Sequence, residues 1–394
     1  MSSVLETIMK ASAIEDRNFD AGYPIVLSVD DSAMKLYPKF DNLEPDVLAT
    51  PLLGWEFSRK DLDRIDLAKK FSTKLKRTLK DTKGFRREDF LKMLKSFLVS
   101  FGDKFGILVG DLKPDEAVPV LVQKVAPAAG RDVVGLILKG CSELECWDVI
   151  EKMIVGEIID HSYYPMLLTN ALSKQQARLL CLAIKHAPDI FNSDLLSILR
   201  CFLSPSKETL HSMSEVTKDW ESQAHIAMEK TKSIGVPINK RTVAKDASIL
   251  LTVACDGFSR SETCLHYMVS SEKVDDVALS YCLGRLNGKE RKKLVKYLGK
   301  WLKKYEKFPQ AVPCRNAASY WGLTMCDVVP KLEDVVRWLS LLLDECFTSI
   351  VLNSDFHGEL EWMKRVVDSM AVEAKDCCFV SEIIERLKPS KAAF

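Results

Sequence analysis

The sequence lacks the short motifs of the common nucleotide-binding and hydrolytic enzymes. It contains no GxxxxGK[ST], GxGxxG, GxSxG or HExxH pattern, and Gly140 of the segment from Gly135 to Gly140 is followed by Cys141, not by the lysine that a phosphate-binding loop requires. The six histidines are far apart in the sequence, so a catalytic triad would have to be assembled by the fold alone. We therefore predict no enzyme and no catalytic residues.

The sequence also lacks the close cysteine pairs that zinc knuckles and ribbons need, since no Cys-x-x-Cys occurs. Asn-x-Ser/Thr acceptors are absent, and the first 25 residues hold no apolar run typical of a signal peptide. The twelve cysteines are scattered, which favours reduced thiols that pack as small core side chains, for example Cys181, Cys201, Cys255, Cys282 and Cys346. We expect no metal and no cofactor.

Long hydrophobic runs and an excess of one charge are absent too. The longest apolar runs, such as 133–138 and 247–255, are far shorter than the roughly 20 residues that span a bilayer. Lysine plus arginine (56) nearly equals aspartate plus glutamate (55). We therefore expect no membrane partner and no small-molecule substrate, and any attraction to nucleic acid must come from local clusters of charge.

Apolar residues at the spacing of one helix face are abundant. The clearest stripe, between Pro330 and Leu352, consists of Leu332, Val335, Val336, Leu339, Leu342, Leu343, Cys346, Phe347 and Ile350. A second stripe covers 360–374. Because the link between them is short, we predict an antiparallel hairpin of two helices, with Pro330 in the first turn.

The same pattern predicts an all-α protein, an irregular α-solenoid-like stack of antiparallel helix pairs. We divide it into an irregular lead-in over 1–57 with a possible strand at 23–29, an N-terminal helical region over 58–205, and a C-terminal helical region over 206–394. Helix caps are predicted at five places: 58–61, 142–145, 173–176, 192–194 and 259–262.

Two predicted helices carry a basic face opposite their apolar face. The first, over 58–79, presents Lys69, Lys70, Lys74, Lys76, Arg77 and Lys80. The second, over 289–307, presents Lys289, Lys292, Lys293, Lys296, Lys300, Lys303, Lys304 and Lys307. Each face has three interpretations: a solvated surface, a nuclear-import patch, or a surface that binds RNA phosphates without reading sequence. Our candidate RNA-binding residues are Lys69, Lys70, Lys74, Arg77, Lys292, Lys293, Lys296, Lys300, Lys303 and Lys304.

Two residues of the 330–352 helix are candidates for contact with a partner protein. Leu341 falls on the otherwise polar side of the helix, and Trp338 lies at the edge of the apolar stripe. Such residues either pack against another layer of helices or anchor a partner protein, a role for which buried aromatic side chains are favoured.

The segment VVRWLSLLLDECFTSIVL (335–352), preceded by YLGKWLKKY (297–305), resembles the C-terminal helical region of the plant nucleolar protein eleven family. The resemblance covers about the last 130 residues and rests on a helix pattern of Trp, Leu-Leu-Asp and Phe. It implies a scaffold subunit of the small-subunit processome, in the subcomplex that joins ribosomal DNA transcription to pre-rRNA processing. Members usually carry an N-terminal β-propeller, and this sequence has no such repeats.

The sequence therefore predicts a non-enzymatic, nucleolar scaffold for ribosome biogenesis, with other processome subunits and pre-rRNA as its partners. An α-solenoid adaptor that binds only proteins is the alternative. An enzyme whose site is assembled by the fold ranks last.

Overall fold

The computed structural model describes residues 59–80, 85–107, 117–232, 237–314 and 316–387. Within these ranges all regular structure is helical and the helices pack against one another, which confirms the all-α stack. The lead-in predicted over 1–57, including its strand at 23–29, lies outside the described residues.

The described ranges contain sixteen α-helices. In chain order they are α1 (Arg59–Lys80), α2 (Arg87–Phe105), α3 (Ala117–Val125), α4 (Arg131–Glu143), α5 (Trp147–Val155), α6 (Tyr164–Ser173), α7 (Ala177–His186), α8 (Asn192–Leu203), α9 (Lys207–Lys232), α10 (Ile238–Cys255), α11 (Arg260–Val269), α12 (Asp276–Gly284), α13 (Gly288–Lys307), α14 (Ala317–Trp321), α15 (Leu332–Val351) and α16 (His357–Leu387). Short 3-10 segments connect some of them, at Ala126–Ala129, His161–Tyr163, Thr324–Val328 and Ser354–Phe356.

The chain divides into two compact units, Met1–Asp66 and Leu67–Phe394. Of the first unit, the structure describes the opening turns of α1. In the second unit, buried apolar side chains from Phe71 to Val366 form one hydrophobic cluster. Helices before and after residue 205 share this core, since α8 packs on α11, α12 and α13. The division at 205 stays a prediction about two regions of the chain.

Packing along the second unit follows the order of the chain. The helix α3 packs on α2 and α5, and α7 packs on α5, α6, α9 and α11. Each of these helices therefore packs on one helix adjacent in the sequence and on others further away, as expected when amphipathic helices cover one another's apolar faces in a stack.

The last two long helices do not form the predicted hairpin. Both α15 and α16 pack on α13, and they make little contact with each other. Gly299 explains the close approach of α16, because a Cβ added there would lie 2.6 Å from Met363 Cε and 2.8 Å from Glu359 Oε1. The start of α15 is also later than predicted: it begins at Leu332, so Pro330 precedes the helix.

Of the predicted helix caps, the one at 259–262 is confirmed. Ser259 Oγ accepts from the Glu262 amide, and the Glu262 carboxylate accepts from the Ser259 amide. The caps predicted at 142–145 and 173–176 are wrong, because Ser142 and Ser173 still belong to the preceding helices. Tertiary burial overrides the local pattern, as Ser142 is buried at the end of α4. The cap predicted at 192–194 is wrong too, because Phe191 is the N-cap residue of α8 and no side chain caps that helix. The cap predicted at 58–61 begins at a residue outside the described ranges.

The crossing of α2 and α4 gives a stability prediction. A Cβ added at Gly140 would lie 2.9 Å from Cε2 of the fully buried Phe90 ring. We expect Gly140→Val to lower the free energy of unfolding by about 1–3 kcal/mol through overpacking. Urea titration measures this loss. Gly288→Ala is the control, since no atom lies within 4 Å of a Cβ there, and equal stability of the two variants would contradict the prediction.

Candidate functional site

The basic helix α13 owes its start to a pair of reciprocal hydrogen bonds. Asn287 Oδ1 accepts from the Glu290 amide at 3.0 Å, and Glu290 Oε2 accepts from the Asn287 amide at 2.8 Å. The helix buries Leu294, Leu298 and Trp301 against the core. Its lysines consequently lie on the opposite side, as the sequence predicts.

Near the start of α13, two of the predicted RNA-binding lysines are held by acceptors of the same chain. Lys292 Nζ lies 2.7 Å from Asp355 Oδ2, and this hydrogen bond holds the pKa of the Asp355 carboxyl below its ordinary value. Lys293 Nζ donates to the Leu203 carbonyl at 2.7 Å, at the end of α8. These lysines fasten α13 to neighbouring segments.

Further along α13, two more lysines are held on the side that faces the loop between α10 and α11. Lys300 Nζ donates to Glu262 Oε2 at 2.8 Å and to the Gly257 carbonyl at 3.1 Å. Lys304 forms an ion pair with Asp256, and its hydrogen bond lowers the pKa of that carboxyl. We call Lys292, Lys293, Lys300 and Lys304 the anchored lysines.

The other four lysines of α13 form an exposed line, which we call the lysine ridge: Lys289, Lys296, Lys303 and Lys307. The first three are seven residues apart, so about 10 Å separates one from the next along the helix axis. The structure thus divides the predicted basic stripe into two groups. Of the candidate RNA-binding residues on this helix, Lys296 and Lys303 lie in the ridge.

The basic face of α1 is more open than that of α13. Its six members are all exposed, and no ion pair joins them to another described residue: Lys69, Lys70, Lys74, Lys76, Arg77 and Lys80. The helix is held from its other side, where Phe71 and Leu75 are buried and the Phe71 ring stacks on Phe97 with centroids 4.0 Å apart. We call these six residues the α1 basic face.

The two predicted partner-binding residues are too buried to form a docking surface. Trp338 is 1% exposed and Leu341 is half-buried. A partner cannot contact Trp338 without displacing core side chains, which agrees with the alternative that it packs against another layer of helices.

The exposed apolar residues of α15 are different ones. Val336, Phe347 and Val351 each expose more than two fifths of their surface. Their positions, 11 and 4 residues apart, place them on one side of the helix. The apolar stripe predicted between Pro330 and Leu352 is therefore wrong at Val336 and Phe347, which do not face the core. Helical spacing alone does not show which of two apolar arcs faces the core.

A cleft of about 710 Å³ lies among the ends of α7 and α11 and the 3-10 segment before α15. Its lysines have acceptors within the chain: Lys185 Nζ donates to the Thr324 carbonyl at 3.1 Å, and Lys331 Nζ donates to Glu272 at 2.7 Å. Lys273 donates to backbone carbonyls at the end of α7. Burial lowers the pKa of the Lys185 ammonium. Acidic side chains such as Asp327 line the same cleft, so its charge is mixed.

The described part of the chain contains neither a cluster of side chains that could hold a metal ion nor a helix that could span a membrane. No group of three or more His, Cys, Asp or Glu side chains within it is arranged to hold a metal ion. None of the helices within it is both long and apolar enough to cross a membrane.

No protein-family model matches this sequence, and no curated protein matches it either. The resemblance to the nucleolar family therefore stays a prediction based on the segments at 297–305 and 335–352.

Proposed function

We propose that the protein is a non-enzymatic scaffold of nucleolar ribosome biogenesis. In this role the helical stack docks other subunits of the small-subunit processome, and the exposed basic residues contact pre-rRNA. The resemblance of the α13 and α15 sequences to the plant nucleolar protein eleven family supports the assignment to this process.

The observation that carries the RNA contact is the α1 basic face. Six exposed cationic side chains lie on one side of a helix whose other side is buried, so the packing of the helix keeps these charges together on one surface. Lysine presents a point charge with three donors, which suits phosphate oxygens but reads no base. Each phosphate that a lysine neutralises releases condensed counterions, so the binding should weaken as salt rises.

A second candidate function is an adaptor that binds proteins and no RNA. The anchored lysines favour it, because half of the basic stripe on α13 already has acceptors within the chain. On this view the cationic residues of α13 mainly hold helices together.

The test compares three charge variants of the full chain in binding to single-stranded RNA. The α1 variant carries Lys69→Glu, Lys70→Glu, Lys74→Glu and Arg77→Glu, and the ridge variant carries Lys289→Glu, Lys296→Glu, Lys303→Glu and Lys307→Glu. We expect wild-type affinity to fall steeply between about 50 and 200 mM salt. If all four substituted residues contact phosphates, the slope of log affinity against log salt becomes shallower by about 3 in the α1 variant.

The control is the anchored pair Lys300→Met and Lys304→Met. This variant should keep its affinity for RNA but unfold more easily, because Glu262 and Asp256 lose their partners. RNA affinity that is independent of salt, or unchanged in both the α1 and ridge variants, would refute the RNA contact. Circular dichroism checks that the helices are retained.

Co-purification of the endogenous protein tests the assignment to ribosome biogenesis. Recovery of processome subunits with pre-rRNA supports the scaffold. Recovery of processome subunits, with no RNA affinity of the purified chain, favours protein contacts alone. Recovery of an unrelated complex outside the nucleolus would refute the nucleolar assignment.

A further inference from the structure

The last helix extends well beyond the core on which it is seated. Near its start, α16 buries Met363 and Val366. Every residue from 371 to 386 is exposed, although the segment remains helical. At 1.5 Å per residue this exposed part, which we call the α16 tail, is about 24 Å long.

The α16 tail carries apolar side chains that a solvated helix does not need. Five of them are between 41% and 64% exposed: Val372, Phe379, Val380, Ile383 and Ile384. At 100° per residue they fall within one arc of about 140°, the width of a face that normally packs against another element. An apolar face of this kind marks an interaction surface.

We propose that the α16 tail pairs with the α16 tail of a second copy of this chain, with the two helices antiparallel. The proposal goes beyond the scaffold function, since neither RNA nor processome contact requires it. The charged residues of the α16 tail favour a second copy of the chain as the partner and an antiparallel orientation of the two helices.

Asp376 decides against the parallel arrangement. It lies in the middle of the apolar arc, on the same side as Phe379 and Ile383. A parallel pair in register would place the Asp376 carboxylates of the two copies against each other, which is unfavourable. In an antiparallel pair centred between Phe379 and Val380, Asp376 of each copy lies opposite Ile383 of the other, so about 10 Å along the helix axis separates the two Asp376 carboxylates.

Lys375 and Glu382 favour the antiparallel arrangement. They are seven residues apart on one flank of the apolar arc, so they lie along the same edge of the helix. In the antiparallel register, Lys375 of each copy comes within about two residues of Glu382 of the other, which allows two symmetric ion pairs across the contact. Lys375 and Glu382, the latter also paired with Arg386 of its own helix, therefore complement their counterparts in the second copy.

The contact is short, at just over two heptads, so we expect a weak and reversible dimer. Sedimentation equilibrium of the full 44.4 kDa chain should show its mass rising toward twice that value as concentration increases. A useful range is about 1 to 200 µM, where interfaces of the transient class populate both states.

Matched substitutions identify the surface. Phe379→Glu with Ile383→Glu should keep the chain monomeric over the same range. Phe347→Glu with Val351→Glu, on the exposed side of α15, should leave dimerisation unchanged. All four positions are exposed, so the fold is retained in both variants.

A charge swap and a cysteine cross-link test the orientation. Lys375→Glu should weaken the dimer about two- to tenfold, and adding Glu382→Lys should restore it. With Cys377→Ser and Cys378→Ser, Val380→Cys should form a disulfide between two copies under mild oxidation, because it lies at the centre of the antiparallel pair. Val372→Cys should not, because it lies opposite the far end of the partner's tail.

Three results would overturn the proposal. One is a chain that stays monomeric at the highest concentration, whether or not its α16 tail binds a different protein. Another is a dimer that survives Phe379→Glu with Ile383→Glu. The third is a disulfide through Val372→Cys, with or without one through Val380→Cys, because only parallel tails bring Val372 opposite its own copy.

Discussion

Replacing His266 with glutamine should make the protein less stable at pH 7 and remove a large part of its sensitivity to acid. His266 is fully buried on α11, where Nε2 lies 3.0 Å from the Ala254 carbonyl and Nδ1 lies 2.8 Å from Tyr297 Oη. Because a carbonyl only accepts, Nε2 carries the hydrogen and Nδ1 accepts from the tyrosine. The ring is therefore neutral and fully hydrogen-bonded.

Burial lowers the pKa of His266 from the ordinary 6.5 to about 3. The folded state favours the neutral ring, so its contribution to stability is complete above about pH 6.5. That contribution is lost as pH falls toward 3, because the unfolded chain binds a proton that the folded chain excludes. The loss is about 1.4 kcal/mol per pH unit within this window.

Urea titrations of wild type and His266→Gln at pH 7, 6, 5 and 4 measure the effect. At pH 7 we expect the variant to be less stable by about 1–3 kcal/mol, the usual cost of disturbing buried hydrogen bonds. The difference should shrink as pH falls and reach zero or change sign by about pH 4.5. His357→Gln, at an exposed histidine, is the control for the substitution itself. A difference that stays constant from pH 7 to 4 would contradict the buried neutral ring.

Truncating Trp301 to alanine should have the largest effect among core substitutions in α13. The side chain is fully buried, and its ring centroid lies 4.9 Å from that of Phe258 and 5.0 Å from that of His266. Its Nε1 donates to Tyr297 Oη at 3.0 Å. We expect Trp301→Ala to lower the free energy of unfolding by about 3–5 kcal/mol, through lost burial and the cavity left behind.

Trp301→Phe separates packing from hydrogen bonding. It keeps most of the ring and loses the donor to Tyr297, so a loss of about 1–2 kcal/mol is expected. Chemical denaturation monitored by circular dichroism measures both variants. A Trp301→Ala protein within 1 kcal/mol of wild type would show that α13 is not held by this aromatic cluster.

Much of the fold follows from helical periodicity. The spacing of apolar residues locates α13 and α15 to within a few residues of their observed bounds, since each helix has one strongly buried face. The extent of α16 could not be obtained in this way. The predicted stripe ends at 374, and the apolar residues of the α16 tail lie on a different side of the helix, so the pattern does not show that both segments belong to one continuous helix.

Helical periodicity predicts the two basic faces but not the roles of the individual lysines within them. Lys300 and Lys303 look equivalent on a helical wheel. Only the folded chain brings Glu262 to Lys300 and leaves Lys303 exposed. Acceptors far away in the sequence decide which lysine is anchored, so local pattern alone cannot distinguish them.

The seat of α16 on Gly299 has a mechanical consequence. Because Gly299 has no side chain, the side chains of Met363 and Glu359 approach the α13 backbone closely. The helix α16 is packed on α13 near its start, and its tail is exposed at the other end. A force on the exposed end of α16 would therefore act through this contact on α13, the helix that displays the lysine ridge.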